Sequence, residues 1–252
     1  MSEPSESKSR HLPWDACYNT RDLGGLPTVD GGTTRWGAVI RSDIPSRLTE
    51  AGRQALLDYG VRTIIDLRGQ KEAAEEPSIF TLPSGSEGEP HYLNLPLERY
   101  EAHVSALISK AANRGEVYCI VLDHYPENIA TVLRTIADAP SGGVMIHCHA
   151  GKDRTGTISA LLLRLAGVLD AAIVADYAES QQRLWPLWEQ LIDAAGGEDK
   201  ADFWLKPTAT PAMMQMVLDH LDTKYGGVLP YLTFAGLQAE EIERLRSRLR
   251  EQ

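Results

Sequence analysis

The chain has 252 residues, enough for one large domain with a substantial core, and its 43% hydrophobic and 24% charged content is ordinary for a globular protein. Lys and Arg total 25 against 35 Asp and Glu, and the resulting net charge of −10 argues against nucleic acid as a partner. Cys17, Cys119 and Cys148 form no CxxC or other metal-ligand spacing, so neither a metal nor a disulfide framework is implied, and no cofactor is called for.

Residues 1–13 are polar, lack the apolar core of a signal peptide and are expected to be disordered, with one domain over 14–252. No apolar run is long enough to span a bilayer, so no integral membrane segment is expected. The cytoplasm is the expected location, with export lacking a recognisable signal as the alternative. The oligomeric state is left open.

Asn19-Thr20-Arg21-Asp22-Leu23-Gly24-Gly25 is dense in turn formers and charge, and Asp30-Gly31-Gly32 marks the bend of a hairpin-like segment. Ala38-Val39-Ile40 reads as a strand ending at Arg41-Ser42-Asp43. Thr49 suits the N-cap of a helix that carries Leu56 and Leu57 and stops at Gly60. Residues 61–68 are rich in β-branched side chains and read as the next strand. Strand, helix, strand in this order predicts an α/β fold with a central, partly parallel sheet flanked by helices, its ligand site at the carboxyl ends of the strands. Asp66 and Arg68 fall at that end, either as a structural ion pair or as support for a site.

A polar loop is expected through Glu72, Glu75, Glu76 and Pro77 to Gly88, followed by a strand over 91–95. One helix should reach about Asn113, and a second, from about Val117, carries Ile120, Val121, Tyr125, Ile129, Val132, Leu133 and Ile136. The breaker Pro140-Ser141-Gly142-Gly143 introduces the apolar strand Val144-Met145-Ile146. Ile158, Leu161, Leu162 and Leu165 then recur at helical spacing up to Gly167.

Beyond Gly167 a helix with Ile173, Val174 and Tyr177 runs into a segment bearing Trp185, Trp188 and Trp204, loosened at Ala194-Ala195-Gly196-Gly197. Over residues 183–205 a helical hairpin packed on the core is one reading, and a helical lid over the site is the other. Thr210-Pro211 starts a helix through Met213, Met216, Val217 and Leu221 to Gly226-Gly227, its methionines serving as core filler. An amphipathic helix over Ala239–Leu249 closes the chain.

The chemistry concentrates in His147-Cys148-His149-Ala150-Gly151-Lys152-Asp153-Arg154-Thr155-Gly156, a strand end, a short loop and a helix start. Such a loop turns successive backbone N–H groups of residues 149–154 inward, with the positive end of the helix dipole behind them. The Arg154 guanidinium adds a planar fork for two oxygens of a tetrahedral anion. Cys148 sits where N–H dipoles, Arg154 and Lys152 all favour a thiolate, a form that can attack a bound phosphate monoester.

His147-Cys148-x5-Arg154-Thr155 resembles the signature of the cysteine-dependent protein tyrosine phosphatase superfamily. The fuller string through Gly156 is similar to a bacterial branch of tyrosine/dual-specificity and phosphoinositide phosphatases. Asn19 to Gly25 also resembles the Asn-x-Arg-Asp-Leu-Gly-Gly block of that branch, with Thr20 where an aromatic is usual, and Arg41-Ser42 resembles its Arg-Ser element. The resemblance implies a phosphatase-like fold, a metal-independent hydrolysis of phosphotyrosine through a phosphocysteine, and Cys148 and Arg154 as catalytic residues. His149, Ala150, Gly151, Lys152, Asp153 and Arg154 would then bind phosphate, with His147, Thr155, Asp66 and Arg68 in support. A sulfurtransferase of the rhodanese kind also uses a cysteine loop, but His147 and the Arg154-Thr155 pair argue against it.

A proton donor for the leaving group is needed as well, and no Trp-Pro-Asp triplet is present. Glu98, Asp123 and Asp153 are candidates, and the Lys-Asp pair of the resembling branch favours Asp153; its alternative role is to pair with Arg21, Arg41 or Arg68. Lys152 reads as a second cation at the mouth or as a solvated lysine. Partners are accordingly a phosphorylated protein, on tyrosine or on serine/threonine, or a phosphoinositide. The competing function is a non-catalytic phosphate-binding module that recognises phosphorylated partners.

Overall fold

The computed structural model describes residues 8–80, 88–200 and 206–250. Five strands form one sheet in the order β1-β2-β5-β3-β4, where β1 is Arg21–Asp22, β2 Val39–Ser42, β3 Val61–Asp66, β4 His91–Asn94 and β5 Gly143–His147. Only β1 runs antiparallel, so the expected partly parallel α/β sheet is found. The central strands are buried on both faces, which explains their near-continuous apolar runs.

Alternate side chains of these strands enter two cores. Val39, Ile65, Val144 and Ile146 join the larger one, under helices α4 (Arg114–His124), α5 (Pro126–Asp138), α6 (Asp153–Leu165), α7 (Asp170–Ala195), α8 (Pro211–His220), α9 (Val228–Phe234) and α10 (Ala239–Leu249). Ile40, Ile64 and Met145 face the smaller one, with Leu12, Trp14 and Leu56 of α1 (Glu50–Asp58). Thr49 caps α1 as expected, its hydroxyl accepting from the Gly52 N–H at 3.2 Å. Two short helices, α2 (Gln70–Glu75) and α3 (Ala102–Ile108), complete the α-helices among the described residues, beside a 3-10 turn at Pro45–Arg47 and a π-helical turn at Leu221–Tyr225.

Several boundaries differ from the sequence reading. The expected polar loop contains α2, whose Glu72 accepts from the Gly69 N–H at 2.9 Å. The helix expected from Val117 through Ile136 is two, because Pro126 cannot continue the hydrogen-bond ladder and pushes Tyr125 to φ −123°, ψ 39°. Helix α9 was not anticipated; at seven residues with Pro230 inside, it carries little periodicity. In the segment expected to be disordered, residues 1–7 lie outside the described residues. From Lys8 onward the chain is placed beside β1: the Arg10 carbonyl accepts from the Asp22 N–H at 2.8 Å and Leu12 is buried.

Of the tryptophan-bearing stretch, residues 183–195 are the continuous second half of α7, and the rest of the expected hairpin or lid lies partly outside the described residues. Pro186 lies on the exposed side of α7, where solvent can take the carbonyl it leaves unpaired. Trp188 is buried at 2% exposure and belongs to the packed face, whereas Trp185 is 42% exposed. Trp204 lies outside the described residues, and the helix ends where Gly196 adopts φ 78°.

Helix α7 is tied to the sheet by charge. Its buried Asp176 accepts from Arg41 Nη1 at 2.6 Å, from Arg21 Nε at 3.0 Å and from Arg10 Nη2. Arg21 also donates to the Asp176 carbonyl at 2.7 Å and to Ser180 at 3.0 Å. Burial alone would raise the Asp176 carboxyl, but Arg21, Arg41 and Arg10 hold it far below the usual carboxylate range. Asp176→Asn removes the carboxylate that Arg21 and Arg41 share, leaving Arg21 only Glu179 at 3.7 Å, and is expected to cost about 3–5 kcal/mol of stability near neutral pH. Because the folded-state value is depressed, this contribution is present above the unfolded carboxylate value of about 3.9 and is lost as pH falls below it. Denaturant unfolding at several pH values should show the gap between wild type and variant narrowing under acid. A gap independent of pH, or one below about 1 kcal/mol, would contradict the assignment.

Candidate active site

Register brings the sequence-singled residues together. His147, the last residue of β5, pairs with Ser42 of β2 on one side and Asp66 of β3 on the other. The loop from Cys148 to Lys152 therefore leaves the sheet between Asp43-Ile44 and Leu67-Arg68 and enters α6 at Asp153.

Within this loop every carbonyl from Cys148 to Lys152 is drawn away from the interior. His147 Nδ1 donates to the Cys148 carbonyl at 3.0 Å, and the Ile44 N–H to that of His149 at 2.9 Å. Asn19 Nδ2 donates to the Ala150 and Gly151 carbonyls at 2.9 and 3.0 Å. Arg41 Nη2 reaches those of Gly151 at 2.8 Å and Lys152 at 3.4 Å. No acceptor among the described residues meets the backbone N–H groups of residues 149–154. Planarity of the peptide links the two facts: carbonyls fixed outward turn the N–H groups inward. The result is an anion nest at a helix N-terminus.

Gly151 is required for the curvature. Its φ is +62°, and an added Cβ would stand 2.2 Å from the Ser42 carbonyl oxygen and 2.5 Å from the Asp43 nitrogen. Asp43 in turn accepts from the Tyr18 and Asn19 N–H groups at 3.0 Å each, which sets the Asn19 side chain. Thr20, at the position usually aromatic in the resembling block, is buried with its hydroxyl 2.7 Å from Ser42 Oγ.

Cys148 lies at the base, 3% exposed. Its counterparts are chemically quieter: burial followed by the Asp43 charge pushes the Cys17 thiol far above its ordinary range, and burial pushes Cys119 up to about 11. Arg154 donates from Nη1 and Nη2 to the two carboxylate oxygens of Glu72 at 2.6 and 2.9 Å. This leaves Nε–H and the second N–H of each terminal nitrogen for a ligand. Burial opposes its charge, but the Glu72 bonds and the nearby Cys148 hold Arg154 above its ordinary value.

Lys152 is 1% exposed, so the solvated-lysine reading fails. Its Nζ donates to the Lys206 carbonyl at 3.1 Å and lies 3.7 Å from Asp153 Oδ2. Burial lowers its pKa, with the Asp153 and Cys148 charges opposing. His147 is fully buried and its pKa is lowered for the same reason; its Nε2 has no partner among the described residues. The buried hydroxyl of Thr155 likewise has none among them. His149 Nε2 lies 3.4 Å from Glu76.

Among the carboxylates, Asp153 does not pair with Arg21, Arg41 or Arg68. Arg21 and Arg41 serve Asp176, and Arg68 clasps Asp66 through Nε at 3.0 Å and Nη2 at 2.7 Å. Tyr92 donates to Asp66 at 2.7 Å, and His147 Nδ1 lies 3.9 Å from the same carboxylate. Asp153 instead accepts from Tyr118 Oη at Oδ1 and from Arg114 Nη1 at Oδ2, 3.2 Å away. Asp123 is engaged elsewhere, with His220 at 2.8 Å, Tyr225 at 2.6 Å and Lys224 at 2.7 Å. Glu98 is half-buried, and burial raises its pKa, helped by the Glu72 and Asp153 charges and opposed by Arg154.

Sequence reasoning missed Glu72, Asp176 and Tyr118. Glu72 stands three residues after Gly69 as a helix-start signal, but nothing in the string links it to Arg154. Asp176 and Tyr118 carry no local signal at all.

Comparison with known proteins gives the family. A model of the "Tyrosine phosphatase family" matches residues 12–251. The chain is 33% identical to a "Tyrosine-protein phosphatase" of Nostoc commune, over 84% of this chain and 74% of that protein. It is 26% identical to the "Triple specificity protein phosphatase PtpB" of Mycobacterium tuberculosis, over 94% of this chain and 97% of that one. A loop of inward N–H groups over a cysteine, closed by an arginine, thus sits in a chain that belongs to the tyrosine phosphatase family.

Proposed function

We propose that the protein hydrolyses phosphotyrosine in proteins through a phosphocysteine on Cys148. The observation that carries this reading is the set of five N–H groups at residues 149–153, without an acceptor among the described residues and turned inward by the outward-bonded carbonyls of residues 148–152. Cys148 Sγ attacks phosphorus, the bond from phosphorus to the ester oxygen breaks, and Asp153 delivers a proton to the departing oxygen. Water then attacks the phosphocysteine, Asp153 takes its proton, and the sulfur–phosphorus bond breaks to return thiolate and inorganic phosphate. The N–H nest and Arg154 hold the equatorial oxygens throughout, where charge develops. Nothing in this sequence of steps requires a metal.

Lys152, whose Nζ donates to the Lys206 carbonyl, adds positive charge beside the loop. Phosphoserine/threonine and phosphoinositides are further substrates in this reading, consistent with the triple specificity named for the mycobacterial relative. A second reading gives the acid role to Glu98, because its raised pKa keeps it protonated to higher pH than an ordinary glutamate.

Cys148→Ser should abolish turnover of para-nitrophenyl phosphate in EDTA while still binding tungstate, since the hydroxyl ionises far less but the nest and Arg154 remain. Hydrolysis that survives in the variant rules out the covalent route. A wild type that binds phosphate yet never turns over would make the protein a recognition module.

Asp153→Asn should lower kcat/KM by roughly 10²- to 10⁴-fold for poor leaving groups, and far less for para-nitrophenol. Should the loss be uniform across leaving groups, and should Glu98→Gln show the selective loss instead, the acid is Glu98.

A further inference from the structure

Asp153 is more than a carboxylate near the loop; its side chain is gripped from two helices. Tyr118 of α4 donates to Oδ1, and Tyr118 Oη lies 2.8 Å from Tyr177 Oη of α7. Since the single Tyr118 proton goes to the carboxylate, Tyr177 is the donor between the two hydroxyls. The rings meet edge to face, their centroids 6.0 Å apart, and both are buried. Gly156 makes room for this: a Cβ there would stand 3.0 Å from Tyr177 Cδ2. The small residue after Arg154-Thr155 therefore admits the Tyr177 ring against the first turn of α6.

The other groups facing Asp153 act on its second oxygen or at longer range, and Arg114 is a donor there. Arg114 Nη1 is 3.2 Å from Oδ2 and Lys152 Nζ is 3.7 Å from it, while the carboxyl of Glu98 acts from the turn after β4. Oδ2 is thus held by long side chains with several donors each, whereas Oδ1 is held by a buried ring with one hydroxyl, and the two contacts together set the rotation of the carboxyl.

We infer that Tyr118, held by Tyr177, is the positioning residue that aims the Asp153 carboxyl at the leaving-group oxygen. This rests on the acid role proposed for Asp153. Burial keeps both tyrosines protonated well past neutral pH, aided for each by the Asp153 charge, so they orient the carboxyl without supplying the transferred proton. In the first half-reaction the proton of the Asp153 carboxyl passes to the ester oxygen; in the second the carboxylate regains one from water, and Tyr118 keeps its own.

The test is kcat/KM across aryl phosphates of rising leaving-group pKa for Tyr118→Phe, Tyr177→Phe and Asp153→Asn, each checked by thermal unfolding. Tyr118→Phe should lose roughly ten- to hundredfold on phenyl phosphate, the range for a hydrogen bond to a charged group, and little on para-nitrophenyl phosphate. Tyr177→Phe, which keeps Tyr118 in place, should show the same selectivity at smaller size. Even where Tyr118→Phe folds poorly, an unselective Tyr177→Phe overturns the inference. A selective Asp153→Asn beside unselective tyrosine variants removes the inference alone; an unselective Asp153→Asn removes the acid reading and the inference with it.

Discussion

The outward bonding of the loop carbonyls is the constraint on which the remainder depends. A short loop of free peptide units could present oxygen or N–H to a ligand, and only the second arrangement binds phosphate. Asn19 and Arg41 make that choice for residues 150–152. Neither can do so alone, because a side chain that pulls on a carbonyl must itself be anchored. Asn19 is anchored by its backbone on Asp43, and Arg41 by Asp176 of α7. Residues 19–43 and a helix residue 135 positions after Arg41 thus converge on this short loop.

This arrangement also reconciles an acidic protein with an anionic substrate. A net charge of −10 gives no long-range attraction for phosphate, so binding rests on local dipoles and on cations whose own partners are arranged to leave donors free. Glu72 is the clearest instance. By taking one N–H from each terminal nitrogen of Arg154 it neutralises part of the charge, yet it fixes the guanidinium plane and leaves its Nε edge open. Lys152 is placed differently, beside the loop and against the Lys206 carbonyl, where its field acts on Cys148 and Asp153.

Much of the fold was legible because it rests on local patterns. Strands β2, β3 and β5 are apolar runs between breakers, Thr49 is a side-chain cap, and α10 has an unbroken amphipathic period. The cysteine loop was legible for another reason: a nest needs a glycine at positive φ, a helix start and an arginine at fixed offsets, all within ten residues. What was not legible lies in contacts between distant segments. The pairing of Asp176 with Arg21 and Arg41, of Glu72 with Arg154 and of Tyr118 with Asp153 spans 35 to 155 residues, and no periodicity records it. Pro126 was a visible signal that the apolar pattern on both sides of it obscured.

The account stands on Cys148 becoming covalently phosphorylated in the cradle that these contacts build. Rapid acid quench of the enzyme with a phosphotyrosine peptide, followed by mass spectrometry of its cysteine-containing fragments, tests this most directly. A single phosphoryl group on the fragment bearing Cys148, absent from those bearing Cys17 and Cys119 and formed no more slowly than product is released, is the predicted result. Steady turnover with no phosphoryl group on Cys148 at any quench time would contradict it.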